Sequence, residues 1–143
     1  MAITRVGVIG AGQMGAGIAH VAALAGREVV LADVAPALAE KGLSGIRKNL
    51  GRQVEKGKVT AEASEAALGR IRTSGDVSDL ADADLVVEAV VEDEGVKREL
   101  FARLDGLAKP SAILASNTSS ISITRLAAAT KRPEQVIGMH FMN

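Results

Sequence analysis

A doubly wound, mostly parallel α/β sheet is the fold predicted by three observations. Short β-branched apolar runs alternate with stretches of helical period. Those runs are apolar along their whole length, as strands covered on both faces require. The first of them opens into a glycine-rich turn that leads directly into a helix. With 143 residues the chain reads as one domain over 1–143, long enough to bury a real core.

The first strand is expected at Val6–Ile9, ended by Gly10-Ala11-Gly12-Gln13-Met14-Gly15. A helix follows with Met14, Ile18, Val21 and Leu24 on one face. The second strand, Val29–Ala32, closes on Asp33. About forty residues then precede the third strand, Ile71–Thr73, where a crossover needs about a dozen or more. Pro36–Lys56 and Ala61–Leu68 fill this gap as two helices, divided at Gly57 and with Thr60 as an N-cap. Together they form a helical hairpin insertion over 36–69 that projects from the sheet. Leu85–Glu88, Ile113–Ala115 and Val136–Met139 complete six strands. Between the fourth and fifth, Val96, Leu100, Arg103, Leu104 and Leu107 share a helical face, with the Arg103 head reaching water. Ser122 is positioned to cap the helix after the fifth strand.

Composition excludes several classes of function. Lys plus Arg and Asp plus Glu both number 17, so no basic footprint exists for nucleic acid or an anionic membrane. Two Phe and no Tyr or Trp leave little on which bases could stack. Zero cysteines exclude disulfides, thiol catalysis and zinc-thiolate sites and fit a reducing, cytoplasmic setting. Two histidines without cysteines offer no metal-ligand spacing. The first ten residues read as a strand rather than a signal segment, and no apolar run is long enough to span a bilayer.

The glycine string fits G-x-G-x-x-G in the context that gives the motif meaning, after a strand and at the start of a helix. Gly10 makes the tight turn, Gly12 lets a pyrophosphate approach the backbone, and Gly15 allows close packing of helix on strand. Gln13 and Met14 complete the cofactor-facing turn, whose free N–H groups point at the phosphates. Asp33, eighteen residues beyond Gly15, can accept hydrogen bonds from both hydroxyls of an adenosine ribose. The same carboxylate repels a 2′-phosphate, so the cofactor indicated is NAD rather than NADP.

Ligands of open parallel sheets lie across the carboxyl ends of the strands, and here those ends are polar. The fourth runs into Glu88-Ala89-Val90-Val91-Glu92, the fifth into Ser116-Asn117-Thr118-Ser119-Ser120, and the sixth into His140-Phe141-Met142-Asn143. Alcohol oxidation needs a base for the hydroxyl proton and a donor to hold the oxygen, and His140 and Ser119 can fill those roles. From position alone, a strand-terminal histidine such as His140 is more often a structural hydrogen-bonding group, and Ser119 in a serine-rich loop is normally a turn residue. His20 reads as structural or solvated. A serine hydrolase is disfavoured because no G-x-S-x-G elbow is present.

The blocks "GVIGAGQMGAGIA", "DLVVEAVVEDEGVKRELF", "ILASNTSSISIT" and "IGMHFMN", in that order, resemble the NAD-binding half of the 3-hydroxyacyl-CoA dehydrogenases, in particular the bacterial 3-hydroxybutyryl-CoA dehydrogenases. The resemblance covers the whole chain and implies a Rossmann-type domain. It implies that Asp33 binds the adenosine ribose and that Glu92 and Lys97 lie along the ribose and nicotinamide side. Ser119 would hydrogen-bond the substrate's 3-oxygen, His140 would be the general acid/base, and Asn117 and Asn143 would line the nicotinamide and substrate site. Asn49 and Lys56 would contact the CoA portion of an acyl-CoA thioester. Read without the resemblance, Glu92, Lys97 and Lys56 are also compatible with ordinary solvated charges. The family's pattern continues with a glutamate that orients the histidine and a helical domain that makes a homodimer, neither of which lies in these residues. This chain alone is therefore expected to turn over substrate poorly. The alternative reading is an NAD-binding module without useful catalysis.

Overall fold

The computed structural model describes residues 2–141. Six strands form one parallel sheet: β1 (Arg5–Ile9), β2 (Glu28–Ala32), β3 (Ile71–Ser74), β4 (Leu85–Glu88), β5 (Ile113–Ser116) and β6 (Val136–Gly138). Their order is β3-β2-β1-β4-β5-β6, so the chain reverses its direction of travel across the sheet between β1 and β4. The helices are α1 (Gln13–Leu24), α2 (Pro36–Glu55), α3 (Ala61–Gly69), α4 (Glu94–Leu107) and α5 (Ile123–Ala127). Short 3-10 turns lie at Val77–Leu80 and Pro133–Gln135. Among the described residues no helix is long and apolar enough to cross a membrane.

The continuous apolarity of the strands has a direct structural counterpart. Alternate residues enter two separate cores, one on each face of the sheet. Val8, Leu31 and Val87 pack with Ile18, Ala19, Ile46 and Leu50 of α1 and α2. Their neighbours Ile9, Ala32 and Val86 pack with Phe101, Leu104 and Leu126 of α4 and α5. Thr60 and Ser122 cap α3 and α5 by accepting from Ala63 N and Arg125 N, as their positions predict.

Four details differ from the sequence expectation. On α1 the buried residues are Gly15, Ile18, Ala19 and Ala23, whereas Val21 is 56 % exposed. The close approach of Gly15 to β1 turns the small residues toward the sheet, where larger ones have no room. On α4 the buried set is Lys97, Phe101 and Leu104, and Val96 is 46 % exposed. That face rotates because Lys97 is neutralised by buried partners described below. The hairpin of α2 and α3 is present, but its base is docked: Ala39, Gly42, Ile46 and Leu50 of α2 and Ser64 and Ala67 of α3 are buried, and the exposed tip lies at residues 55–58. Finally, β6 ends at Gly138, although Met139 N still donates to Ser116 O at 2.9 Å.

Buried polar groups around this frame are matched. Arg132 binds Asp105 Oδ1 at 2.6 Å and donates to the carbonyls of Asp105, Ala108, Lys109 and Ala112, satisfying the end of α4. Asp84, below the amino end of the sheet, accepts from Thr4 N and Arg5 N and pairs with Lys109.

Candidate active site

The parallel register brings Ile9, Ala32, Glu88, Ser116 and Gly138 to one edge, so the loops beyond them share a cleft. Its first half is the glycine turn. Gly10 has φ +102°, and a Cβ there would lie 2.5 Å from Ala89 O. A Cβ on Gly15 would lie 1.6 Å from Gly10 O, so α1 reaches β1 only because this residue has no side chain. Gly12 differs: a Cβ would meet nothing within 4 Å. No protein atom therefore requires a glycine there, and the bare backbone leaves room for a diphosphate to lie against it. The first turn of α1 has no side-chain cap and no acid, which leaves its partial positive charge available.

Asp33 closes β2 beside this turn. Its Oδ2 accepts from Ala11 N at 2.9 Å and its Oδ1 from Ala35 N at 3.1 Å, which fixes the carboxylate plane. Each oxygen keeps a lone pair for a ribose hydroxyl. A pocket of about 100 Å³ beside it is lined by Val34, Gly75, Val77 and Arg103. The glycines and Asp33 thus fit the adenosine and pyrophosphate of NAD.

The second half of the cleft contains a charge cluster that sequence reading missed in part. Glu88, the last residue of β4, is fully buried and accepts from Val90 N at 3.0 Å and from the Ser116 hydroxyl. Lys97 Nζ donates to Glu88 Oε1 at 2.8 Å, to Glu88 Oε2 at 2.7 Å and to Val90 O at 3.2 Å. It also lies 3.3 Å from Glu92 Oε1. The expectation that Lys97 lines the cofactor meets a side chain only 1 % exposed, and the half-exposed carboxylate beside it is that of Glu92. Glu92 Oε2 accepts from Thr118 and Ser120, each at 2.7 Å. Partial burial pushes the Glu92 carboxyl upward, but the bonds from Ser120, Thr118 and Lys97 outweigh it and hold it below its ordinary value. Two signals for this cluster were present in the sequence: an acid ending an apolar strand, and a lysine three and four residues from apolar helix positions.

Asn117 ties the ends of β5 and β6 together. Its N–H donates to Glu88 O at 2.9 Å, and its Oδ1 accepts from Phe141 N at 3.0 Å. His140 is held between this bond and that of Met139, with its imidazole exposed. Ser119 is also exposed, three residues beyond Ser116 on the neighbouring strand. Asn143 lies outside the described residues. Asn49 lines a cavity of about 540 Å³ together with Met14, Ile18 and Phe141. Lys56 is exposed at the end of α2, two helical turns from Asn49. His20, whose Nε2 lies 3.0 Å from Gln53 Oε1, joins α1 to α2. Among the described residues no group of acidic, histidine or cysteine side chains could hold a metal ion.

Comparison with known proteins bears on this arrangement. Residues 5–143 match the family model for the 3-hydroxyacyl-CoA dehydrogenase NAD-binding domain. A 3-hydroxybutyryl-CoA dehydrogenase of Bradyrhizobium diazoefficiens is 61% identical over 99% of this chain and 48% of its own length. A crystal structure from M. tuberculosis superposes with a TM-score of 0.96 at 55% identity, covering 100% of this chain and 50% of that one. The (S)-3-hydroxybutyryl-CoA dehydrogenase of Ralstonia eutropha gives 0.96 at 43% identity, covering 99% of this chain and 50% of that one. The chain therefore spans about half the length of these relatives. With its glycine turn, the acid that closes β2 beside it and a family match over nearly all its residues, this chain belongs to the 3-hydroxyacyl-CoA dehydrogenases, as their NAD-binding domain.

Proposed function

We propose that the protein carrying this domain oxidises (S)-3-hydroxyacyl-CoA, with 3-hydroxybutyryl-CoA as the preferred class, to 3-oxoacyl-CoA. The observation that carries the reading is the placement of His140 and Ser119 beyond adjacent strands, on the same edge as Gly12 and Asp33. The names of the relatives support the substrate class.

In this reading His140 takes the proton of the 3-hydroxyl, and the hydrogen on C3 leaves with its electron pair as the C–O bond becomes a carbonyl. Bound NAD supplies the hydride acceptor. The Ser119 hydroxyl donates to the 3-oxygen and holds it in line with the imidazole. The Asn117 bond to Phe141 N limits movement of the backbone that carries His140. The cavity joining Asn49 to Phe141 gives the acyl-CoA a path from the exposed face of α2, where Lys56 meets a CoA phosphate, to the reacting carbon. Gln13 and Met14 complete the lining of the site. The setting is the cytoplasm, and assembly is as a homodimer through residues outside this chain.

The test is NADH formation from 3-hydroxybutyryl-CoA by the protein at its full natural length. His140→Gln should lower kcat by about 10²–10⁴-fold, the range for a positioned general base, while NADH binding is retained. A protein that binds NADH but is indifferent to His140→Gln would refute the assignment of the base. NADH binding with no turnover by the unsubstituted full-length protein would favour the module without catalysis.

A further inference from the structure

The charges beyond β4 and β5 do not cancel. Glu88 and Lys97 form a pair inside the protein, their side chains 0% and 1% exposed. Glu92 shares the same ammonium at 3.3 Å, yet its side chain is 46% exposed. Its remaining polar contacts, from Thr118 and Ser120, are hydroxyl donors that stabilise a carboxylate without neutralising it. Two carboxylates thus share one cation, and the uncompensated negative charge falls on the outer member, Glu92. Among the described residues Lys97 is the sole cation within ion-pair distance of Glu92; Arg125, on the nearby α5, is paired with Glu94 at 3.2 Å.

A dinucleotide with its adenosine on Asp33 and its diphosphate on Gly12 runs from β2 across the reversal between β1 and β4. Its nicotinamide end then lies toward β4 and β5, the side that carries Glu92. That ring is a cation when oxidised and neutral when reduced. We propose that the uncancelled charge of the Glu88–Lys97–Glu92 cluster raises this domain's affinity for the oxidised cofactor relative to the reduced one. Glu92 is the specificity-determining residue, while Glu88 and Lys97 position it. The inference rests on the NAD-binding reading of the domain and adds a preference between its two redox forms.

The experiment is calorimetric titration of the chain with NAD⁺, NADH and ADP-ribose at low ionic strength, for the parent, Glu92→Gln and Glu92→Asp. Glu92→Gln should weaken NAD⁺ relative to NADH by about three- to tenfold, the effect of one unit charge across a partly solvated gap. ADP-ribose, which lacks the nicotinamide, should change less than twofold. Glu92→Asp should keep most of the preference, and added salt should reduce it in the parent. An equal loss of NAD⁺ and NADH, a uniform loss of all three ligands, or no change in the ratio would overturn the charge assignment. Failure of the parent to bind ADP-ribose would instead overturn the dinucleotide-binding reading beneath it.

Discussion

Replacing Lys97 by Met separates a buried structural cation from a surface lysine. Lys97 Nζ lies 2.8 and 2.7 Å from the two oxygens of Glu88, in a pair shielded from water on both sides. Methionine has similar length and polarity suited to the core, so packing is largely conserved. What is lost is the countercharge of Glu88, which then has Val90 N and the Ser116 hydroxyl as donors but no cation. Removing one partner of a buried pair costs about 3–5 kcal/mol, a large share of the roughly 5–15 kcal/mol typical of a domain. Adding Glu88→Gln should recover most of this loss. The amide oxygen can still accept from Val90 N, which leaves a deficit of about 1–2 kcal/mol. Urea denaturation followed by far-UV circular dichroism gives all the required values, provided the denaturant slopes of the variants agree. A cost below about 1 kcal/mol for Lys97→Met would refute the buried pair and return Lys97 to the surface. A double variant as unstable as the sum of the two single ones would show that the two residues are not coupled.

The glycine turn predicts opposite phenotypes at neighbouring positions. Gly12→Ala should fold with a loss of about 1 kcal/mol or less yet bind NADH poorly, because its Cβ is free of protein atoms. Gly15→Ala, with a Cβ 1.6 Å from Gly10 O, should lose at least about 1–3 kcal/mol in stability, as thermal or urea denaturation would show. Asp33→Ala should weaken NADH by about 1–3 kcal/mol and narrow the gap to NADPH in fluorescence titrations; equal affinities of the parent for both would refute the ribose assignment. Acid should unfold the domain through specific carboxylates. Lys109 and the amides of Arg5 and Thr4 hold Asp84 well below the usual range, and burial of Asp105 is outweighed by Lys131 N and Arg132. Groups lowered in the folded state stabilise it above their unfolded pKa, so stability should be lost as pH falls below about 4, and Asp84→Asn should flatten that dependence.

The alternation of strands and helices, the glycine turn and Asp33 are legible in the sequence because each is a local matter. A period of two or 3.6, a residue without Cβ and an acid at a strand end are properties of a few consecutive residues. The caps at Thr60 and Ser122 are local in the same way. What only the tertiary structure decided involves partners far apart in the chain. Lys97 reads as an ordinary helix-surface charge until β4 brings Glu88 beneath it and β5 brings Thr118 and Ser120 against Glu92. Val21 and Val96 look like core positions, but the depth at which Gly15 seats α1 and the ion pair under α4 turn both outward. A helix presents several apolar stripes of similar merit, and the choice between them depends on the shape and charge of the surface it meets, which no short window of sequence contains.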